Sequence, residues 1–207
     1  MTLTGPMRGP LRKRESNLWV REAHDWYVEP EWVSRRFFEE EKFERGILDP
    51  ACGGGNIVKS ARALGLHAVG SDLIERADGF MYGLDFTDSD FPREICMMRF
   101  GGECANIVCN PPFSLAEKFV EIALVYAEGK VAMLLPANWV QGDKRSRWLQ
   151  ASPLRRVWFI TPRPSMPPGQ VLQAGGKPGN GTTDYAWFVW LRGYDGSPEI
   201  RWLRRDG

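Results

Sequence analysis

The chain has 207 residues, 43% of them hydrophobic and 26% charged, with a formal net charge of +1. These figures suit one soluble globular domain with a single good core, and they exclude a global basic field that would announce nucleic acid. No stretch supplies the roughly 18 apolar residues of a membrane helix, and the opening MTLTGPMRGPLRKRES has no apolar segment of the signal-peptide kind. Cys52, Cys96, Cys104 and Cys109 form no CxxC pair, and His24 and His67 are the two histidines, so no metal site is expected. Reduced thiols in a cytoplasmic protein are the default expectation.

Residues 1–18 are polar and basic and read as a flexible lead-in to one domain over 19–207. AHDWYVEPEWVSRRFFEEEKF then gives an extended aromatic piece up to Pro30 and a helix with Phe37, Phe38 and Phe43 toward the core. Its EEEKFE run is a solvated face. From Gly46 onward strands and helices alternate. GILDP is a strand, NIVKSARALG a helix ending at Gly65, HAVGSDL a second strand and FMYGLDF a third. ANIVCN is the fourth strand, and LAEKFVEIALVYAEG a helix with Leu115, Phe119, Ile122 and Tyr126 on one face. KVAMLLP is the fifth strand, KRSRWLQAS a short basic helix, and RRVWFI and DYAWFVWL the last two strands. Between those two lies a long loop over 161–184, whose glycines and prolines argue against a helix and whose length suggests function. The pattern predicts an α/β fold, a doubly wound, mostly parallel, seven-stranded sheet with an antiparallel last strand, because no helix separates the final pair.

Four stretches carry chemistry. In LDPACGGGNI, residues 48–57, a strand ends at Asp49, a glycine turn follows and a helix begins. Glycine lets the backbone approach a ligand. No Gly-Lys-Ser/Thr follows, so it is not a phosphate loop, and the GxGxxG spacing is absent. An acid at that point would repel a pyrophosphate and suits an amine or sulfonium cation. Asp72 in VGSDL, at the second strand end, can accept from both hydroxyls of a ribose, or serve as a helix cap. Asp85 and Phe86 in LDF can meet an adenine, or form an acidic turn.

The fourth is Asn110-Pro111-Pro112-Phe113, at the end of the fourth strand. Asn110 precedes a proline and is confined to extended geometry, and the prolines stiffen the loop and offer carbonyls without N–H groups. The Asn110 side-chain oxygen and the Pro111 carbonyl thus make two rigid acceptors for one amino group, with Phe113 as a stacking face. A Pro-Pro turn with a half-buried Phe is the plainer alternative, weakened by the position beside the glycine turn.

Asp-Pro-x-x-Gly-x-Gly at 49–55 together with Asn-Pro-Pro-Phe at 110–113 resembles the S-adenosylmethionine-dependent amino-methyltransferases that act on adenine in DNA. DWYVEPEW, residues 25–32, looks like the segment of that family that closes over the methionine part of the cofactor, with Glu29 where a Thr is usual. DYAWFVW looks like its antiparallel last strand, and the resemblance runs over roughly residues 20–192. The motif order is that of the gamma arrangement. The segments after Asp85 and after the last strand are too short for a target-recognition domain, which suggests a compact enzyme of the phage or prophage type, with site-specific or relaxed action.

The resemblance implies a class I, Rossmann-like methyltransferase fold, with S-adenosylmethionine held by Trp26, Tyr27, Val28, Pro30, Asp49, Pro50, Ala51, Gly53, Gly55, Asp72, Leu73, Asp85, Phe86 and Asn110. It implies that Asn110, Pro111, Pro112 and Phe113 present the N6 amine of a flipped adenine to the sulfonium methyl. Lys144, Arg145, Arg147, Arg155 and Arg156 form a basic cluster suited to DNA phosphates, or a solvated helix face, and Arg163 and Lys177 extend it from the long loop. That loop is expected to border the target-base pocket, with Met166 at the position nearest the base. RNA adenine and a protein glutamine amide are the alternative substrates. A non-catalytic module and a NAD-dependent oxidoreductase fit the intact motifs less well. Neither a metal nor a membrane partner is expected, and the sequence does not indicate an oligomeric state.

Overall fold

The computed structural model describes residues 25–88, 95 and 106–207. The predicted lead-in over 1–18, and Cys96 and Cys104, lie outside the described residues. The first helix, α1 (Glu31–Glu40), starts behind Pro30 and buries Val33, Ser34, Phe37 and Phe38 at the three-to-four-residue spacing of one helix face. Next come β1 (Ile47–Asp49), α2 (Asn56–Ala63), β2 (Ala68–Gly70), β3 (Asn106–Cys109) and α3 (Ala116–Tyr126). The remaining elements are β4 (Lys130–Pro136), α4 (Asp143–Ala151), β5 (Leu154–Thr161), α5 (Gly169–Gln173), β6 (Tyr185–Leu191) and β7 (Glu199–Arg204).

Among the described residues seven strands form one sheet in the order β2-β1-β3-β4-β6-β5-β7, with β6 antiparallel to both of its neighbours and the other pairs parallel. β1 and β3 are buried along their whole length, as strands covered on both faces must be. Alternate residues feed two cores. One contains Ile107, Phe119, Trp139, Phe188 and Trp190, and the other Phe37, Val108, Leu134, Trp158 and Trp187. Phe37 of α1 stacks on Trp187 at 4.3 Å and 10°, which clamps the first helix to the middle of the sheet.

The expected doubly wound sheet with one antiparallel strand is present, and four details differ from the sequence reading. FMYGLDF forms no strand. Only Ser71 and Met81 make a parallel bridge there, and Gly79 and Gly83 take φ of +86° and +73°, which breaks an extended run. The seventh strand is instead β7, after the antiparallel one. Its only buried residue is Leu203, so it lacks the apolar run that marks the inner strands. The loop over 161–184 does contain a helix, α5. Pro168 sets its start, and Gly175 at φ +78° ends it, with Gly176 N–H donating to the Val171 carbonyl and Gly175 N–H to that of Leu172. Leu115, expected on the apolar face of α3, instead lies in the 3-10 turn Phe113–Leu115 and is exposed.

Parallel strands bring their carboxyl ends to one edge of the sheet. Asp49, Asp72, Asn110 and Pro136 therefore share one edge, and that edge is where doubly wound sheets bind ligands.

Candidate active site

A cleft of about 270 Å³ lies over the carboxyl ends of β1, β2 and β3. Its floor is the turn after β1. Gly53 takes φ +52°, and a Cβ there would come within 2.6 Å of Trp26 Nε1. Gly55 takes φ +81°, and a Cβ there would lie 2.0 Å from Phe80 Cζ. A Cβ on Gly54 would meet nothing within 4 Å, since that residue faces the open cleft. The turn is tied to the second strand end, where Gly53 N–H donates to Asp72 Oδ2 at 2.8 Å and Ile74 N–H to Oδ1 at 2.9 Å. Arg76 stands 3.9 Å from Asp72 and lies 4.1 Å over the Trp26 ring.

The segment before α1 forms the opposite wall. Val28 N–H donates to the Pro167 carbonyl and Gly169 N–H to that of Trp26, so this segment and the 161–184 loop hold each other in place. Asn110, at the end of β3, donates from Nδ2 to the Tyr27 carbonyl at 2.8 Å and to Glu29 Oε2 at 2.9 Å. Asp25, at φ +50°, accepts from Ser114 N–H at 3.0 Å. Phe113 stacks on Tyr27 at 5.8 Å and 5°, and meets Tyr185 at 5.9 Å and 37°.

Of the carboxyl groups that line this cleft three are buried, with Asp49 1%, Glu29 5% and Asp72 8% exposed. Burial pushes Glu29 up to about 7, against the hydrogen bonds from its own backbone, Asn110 and Ser34. Burial also pushes Asp49 well above the usual carboxylate range, and the nearby negative charges of Glu29 and Asp72 push it further. The Cys109 thiol, bonded to Asp49, and the Cys52 thiol are both raised by burial first and by those acids second, so neither is a poised nucleophile. Buried acids that resist ionisation favour a ligand that brings a positive charge.

Most of the cofactor residues expected from sequence line the cleft: Trp26, Tyr27, Val28, Asp49, Pro50, Ala51, Gly53, Asp72, Leu73, Asp85, Phe86 and Asn110. Pro30 and Gly55 do not, since one precedes α1 and the other caps α2. Asp85 is exposed and its Oδ1 closes a turn with Thr87, accepting from N–H at 2.8 Å and from Oγ1 at 2.7 Å. Phe86 is buried against Phe119 at 4.9 Å. Of the Asn-Pro-Pro-Phe motif, Asn110 and Pro112 line the cleft, while Pro111 is buried beside it and Phe113 joins the aromatic group next to it. The sequence reading missed Asp25, Asn56, Arg76 and Ser114 as lining residues. Glu29 it noted only as a departure from the family's Thr.

The basic residues divide between the two edges of the sheet. Lys144, Arg145 and Arg147 sit in the first turns of α4, which follows β4 at the cleft edge. Arg145 donates to the Trp139 carbonyl at 2.6 Å, and Arg147 pairs with Asp143 at 3.2 Å. Arg163 pairs with Asp184 at the end of the loop, and Lys177 is exposed. Arg155 and Arg156 lie near the start of β5 at the far edge, where the register sets Arg156 opposite Glu199 and Arg155 pairs with the same carboxylate at 2.6 Å. Arg156 also pairs with Glu41 at 2.6 Å. Met166 is buried with Tyr185 and Trp187 in the second core.

Among the described residues no group of His, Cys, Asp and Glu is arranged to hold a metal ion, and no helix is long and apolar enough to cross a membrane. No protein-family model and no curated protein matches the chain. Among solved structures it is similar to a candidate hemolysin from Lactococcus lactis, at 12% identity over 84% of this chain and 90% of that one, with a TM-score of 0.50. It is also similar to a TehB-like SAM-dependent methyltransferase from Corynebacterium glutamicum, at 18% identity over 77% and 86% of the two chains, with a TM-score of 0.46. A magnesium protoporphyrin IX methyltransferase from Synechocystis, solved with bound SAM, is similar at 13% identity over 70% and 69%, with a TM-score of 0.43. At 12% identity the likeness to the Lactococcus protein is one of fold alone.

Proposed function

We propose that the protein is an S-adenosylmethionine-dependent methyltransferase acting on the exocyclic N6 amine of adenine in DNA. The observation that carries this reading is the meeting of Asn110 with a cleft lined by three buried acids. The amide hydrogens of Asn110 are taken up by Tyr27 and Glu29, and among the described residues no donor reaches its Oδ1.

The residues present fit the cofactor. Gly54 leaves room for a close approach, Asp72 supplies carboxylate oxygens for ribose hydroxyls, and Asp49 with Glu29 offers negative potential to a cation. S-adenosylmethionine supplies an electrophilic methyl group on a sulfonium sulfur. Trp26, set between Gly53, Gly169 and the Arg76 guanidinium, forms part of the cleft wall beside the glycine turn.

On the substrate side, Asn110 Oδ1 and the Pro111 carbonyl accept the two hydrogens of the amine and draw its lone pair out of conjugation with the ring. The proline pair holds these acceptors in place beforehand, which is where most of the rate enhancement arises. The base must leave its stack at a cost of a few kcal/mol. Stacking on an aromatic residue returns about 1–3 kcal/mol per base, and Phe113 with Tyr27 and Tyr185 is the aromatic set at hand. The same set favours a planar base over the aliphatic amide of a glutamine. Lys144, Arg147 and Lys177 are the exposed cations for backbone phosphates, and Arg145 and Arg163 border them.

Incubation with methyl-labelled S-adenosylmethionine and matched single- and double-stranded DNA and RNA tests the reading. Label in DNA supports it, whereas label confined to RNA or to protein moves the same chemistry to another substrate.

A further inference from the structure

We propose that Glu29 is a positioning residue: with the Tyr27 carbonyl it fixes which end of the Asn110 amide faces the substrate. The inference rests on the proposed function for its kinetic consequence, but the contact itself stands without it.

The two ends of an asparagine amide have nearly the same shape and opposite hydrogen-bonding character, so its orientation is set by its neighbours. Here the neighbours are two acceptors, the Tyr27 carbonyl at 2.8 Å and Glu29 Oε2 at 2.9 Å. The NH2 group satisfies both, and a reversed amide would set its oxygen against two oxygens. Glu29 is held for the task. Ser34 Oγ donates to its Oε1 at 3.4 Å, and Asn56 Nδ2 donates to its backbone carbonyl at 2.8 Å.

The groups that face Glu29 come from every element packed on it. They are Ser34 from α1, Asn56 from the start of α2, Asp49 from β1, and Asn110 from just after β3. Arg76, the arginine of the cleft, is turned to Asp72 and lies over Trp26. When ionised, Glu29 is an acceptor only and admits one orientation of Asn110. When neutral it carries an O–H that competes as a donor for Oδ1. Burial pushes its pKa up to about 7, so this change of state falls in the neutral range.

The test follows the side-chain amide resonances of Asn110 in nitrogen-15-labelled protein, assigned by their loss in Asn110→Ala. They should titrate with a midpoint near 7 in the wild type and stay flat in the isosteric Glu29→Gln. Turnover on the labelled substrate should fall about tenfold or more in Glu29→Ala, with a smaller change in KM for S-adenosylmethionine, and Glu29→Gln, which like the neutral acid both donates and accepts, should hold turnover at the low-pH level of the wild type at every pH. Resonances that do not titrate, or that titrate alike in Glu29→Gln, would overturn the proposal, as would undiminished turnover in folded Glu29→Ala. A titrating amide in a protein that transfers methyl to no substrate would sustain the Glu29–Asn110 contact and overturn the methyltransferase reading.

Discussion

Replacing Glu29 by Gln should stabilise the ligand-free protein in mild alkali and leave it nearly unchanged in mild acid. Burial raises the Glu29 carboxyl from 4.5 to about 7, so between those values the folded chain keeps a proton that the unfolded chain has released. Stability therefore falls as pH climbs through that interval and levels off above it. At roughly 1.4 kcal/mol per pH unit, the interval corresponds to roughly 3 kcal/mol lost by about pH 8. A glutamine has no charge to bury, and it can still accept from Asn110 and meet Ser34. For a domain of this size 1 kcal/mol moves the melting temperature by about 2–4 °C. Thermal unfolding should thus rise by about 6–12 °C in Glu29→Gln at about pH 8, and by little at about pH 5. Relief of the charge beside Asp49 acts in the same direction. Calorimetric scans of both proteins between those pH values would check this, and parallel curves would refute the assignment of a buried, reluctant acid at position 29.

Gly53→Ala should cost about 1–2 kcal/mol from the left-handed backbone alone and push the Trp26 indole aside, weakening S-adenosylmethionine binding by about tenfold or more in calorimetric titration. Glu41→Ala removes a buried carboxylate that accepts from Lys130, from Arg156 at 2.6 Å and from Trp158 Nε1 at 3.0 Å. Denaturant unfolding should show a loss of about 3–5 kcal/mol, while cofactor affinity stays put because this cluster sits at the far edge of the sheet. The double change Lys144→Ala and Arg147→Ala should weaken DNA binding and reduce the slope of log affinity against log salt by about 1–2, with cofactor affinity unaltered.

How much of this was legible in the sequence depended on the kind of signal. The strands at Ile47, Ala68, Asn106 and Lys130 announced themselves as short apolar runs bounded by breakers, and their parallel packing set Asp49, Asp72 and Asn110 at one edge. The Asn-Pro-Pro-Phe stretch stops a buried strand with groups that a plain turn does not need, and it does meet the glycine turn across the cleft. FMYGLDF misled because its apolar residues serve single contacts, Phe80 against Gly55 and Gly70 and Phe86 against Phe119, rather than a ladder. Strand β7 was hidden because it is an edge strand with Ile200 and Trp202 exposed, and the alternation in Glu199-Ile200-Arg201-Trp202 is too brief to stand out from the charged residues around it. Arg155 and Arg156 are neighbours of Arg147 in sequence, yet a helix and a turn carry them to the opposite edge, into Glu199 and Glu41. The role of Glu29 was out of reach, because a raised carboxyl depends on burial, and burial there is made by α1, β1 and β3 together.

The measurement that bears most directly on the central claim is the identity of the methylated product. The protein is incubated with tritiated S-adenosylmethionine and unmethylated DNA, the DNA is digested, and the nucleosides are separated, with Asn110→Ala run beside the wild type. Label is expected in N6-methyladenine and should disappear in the Asn110→Ala variant. Label in another nucleoside, or N6-methyladenine formed equally well by Asn110→Ala, would contradict it.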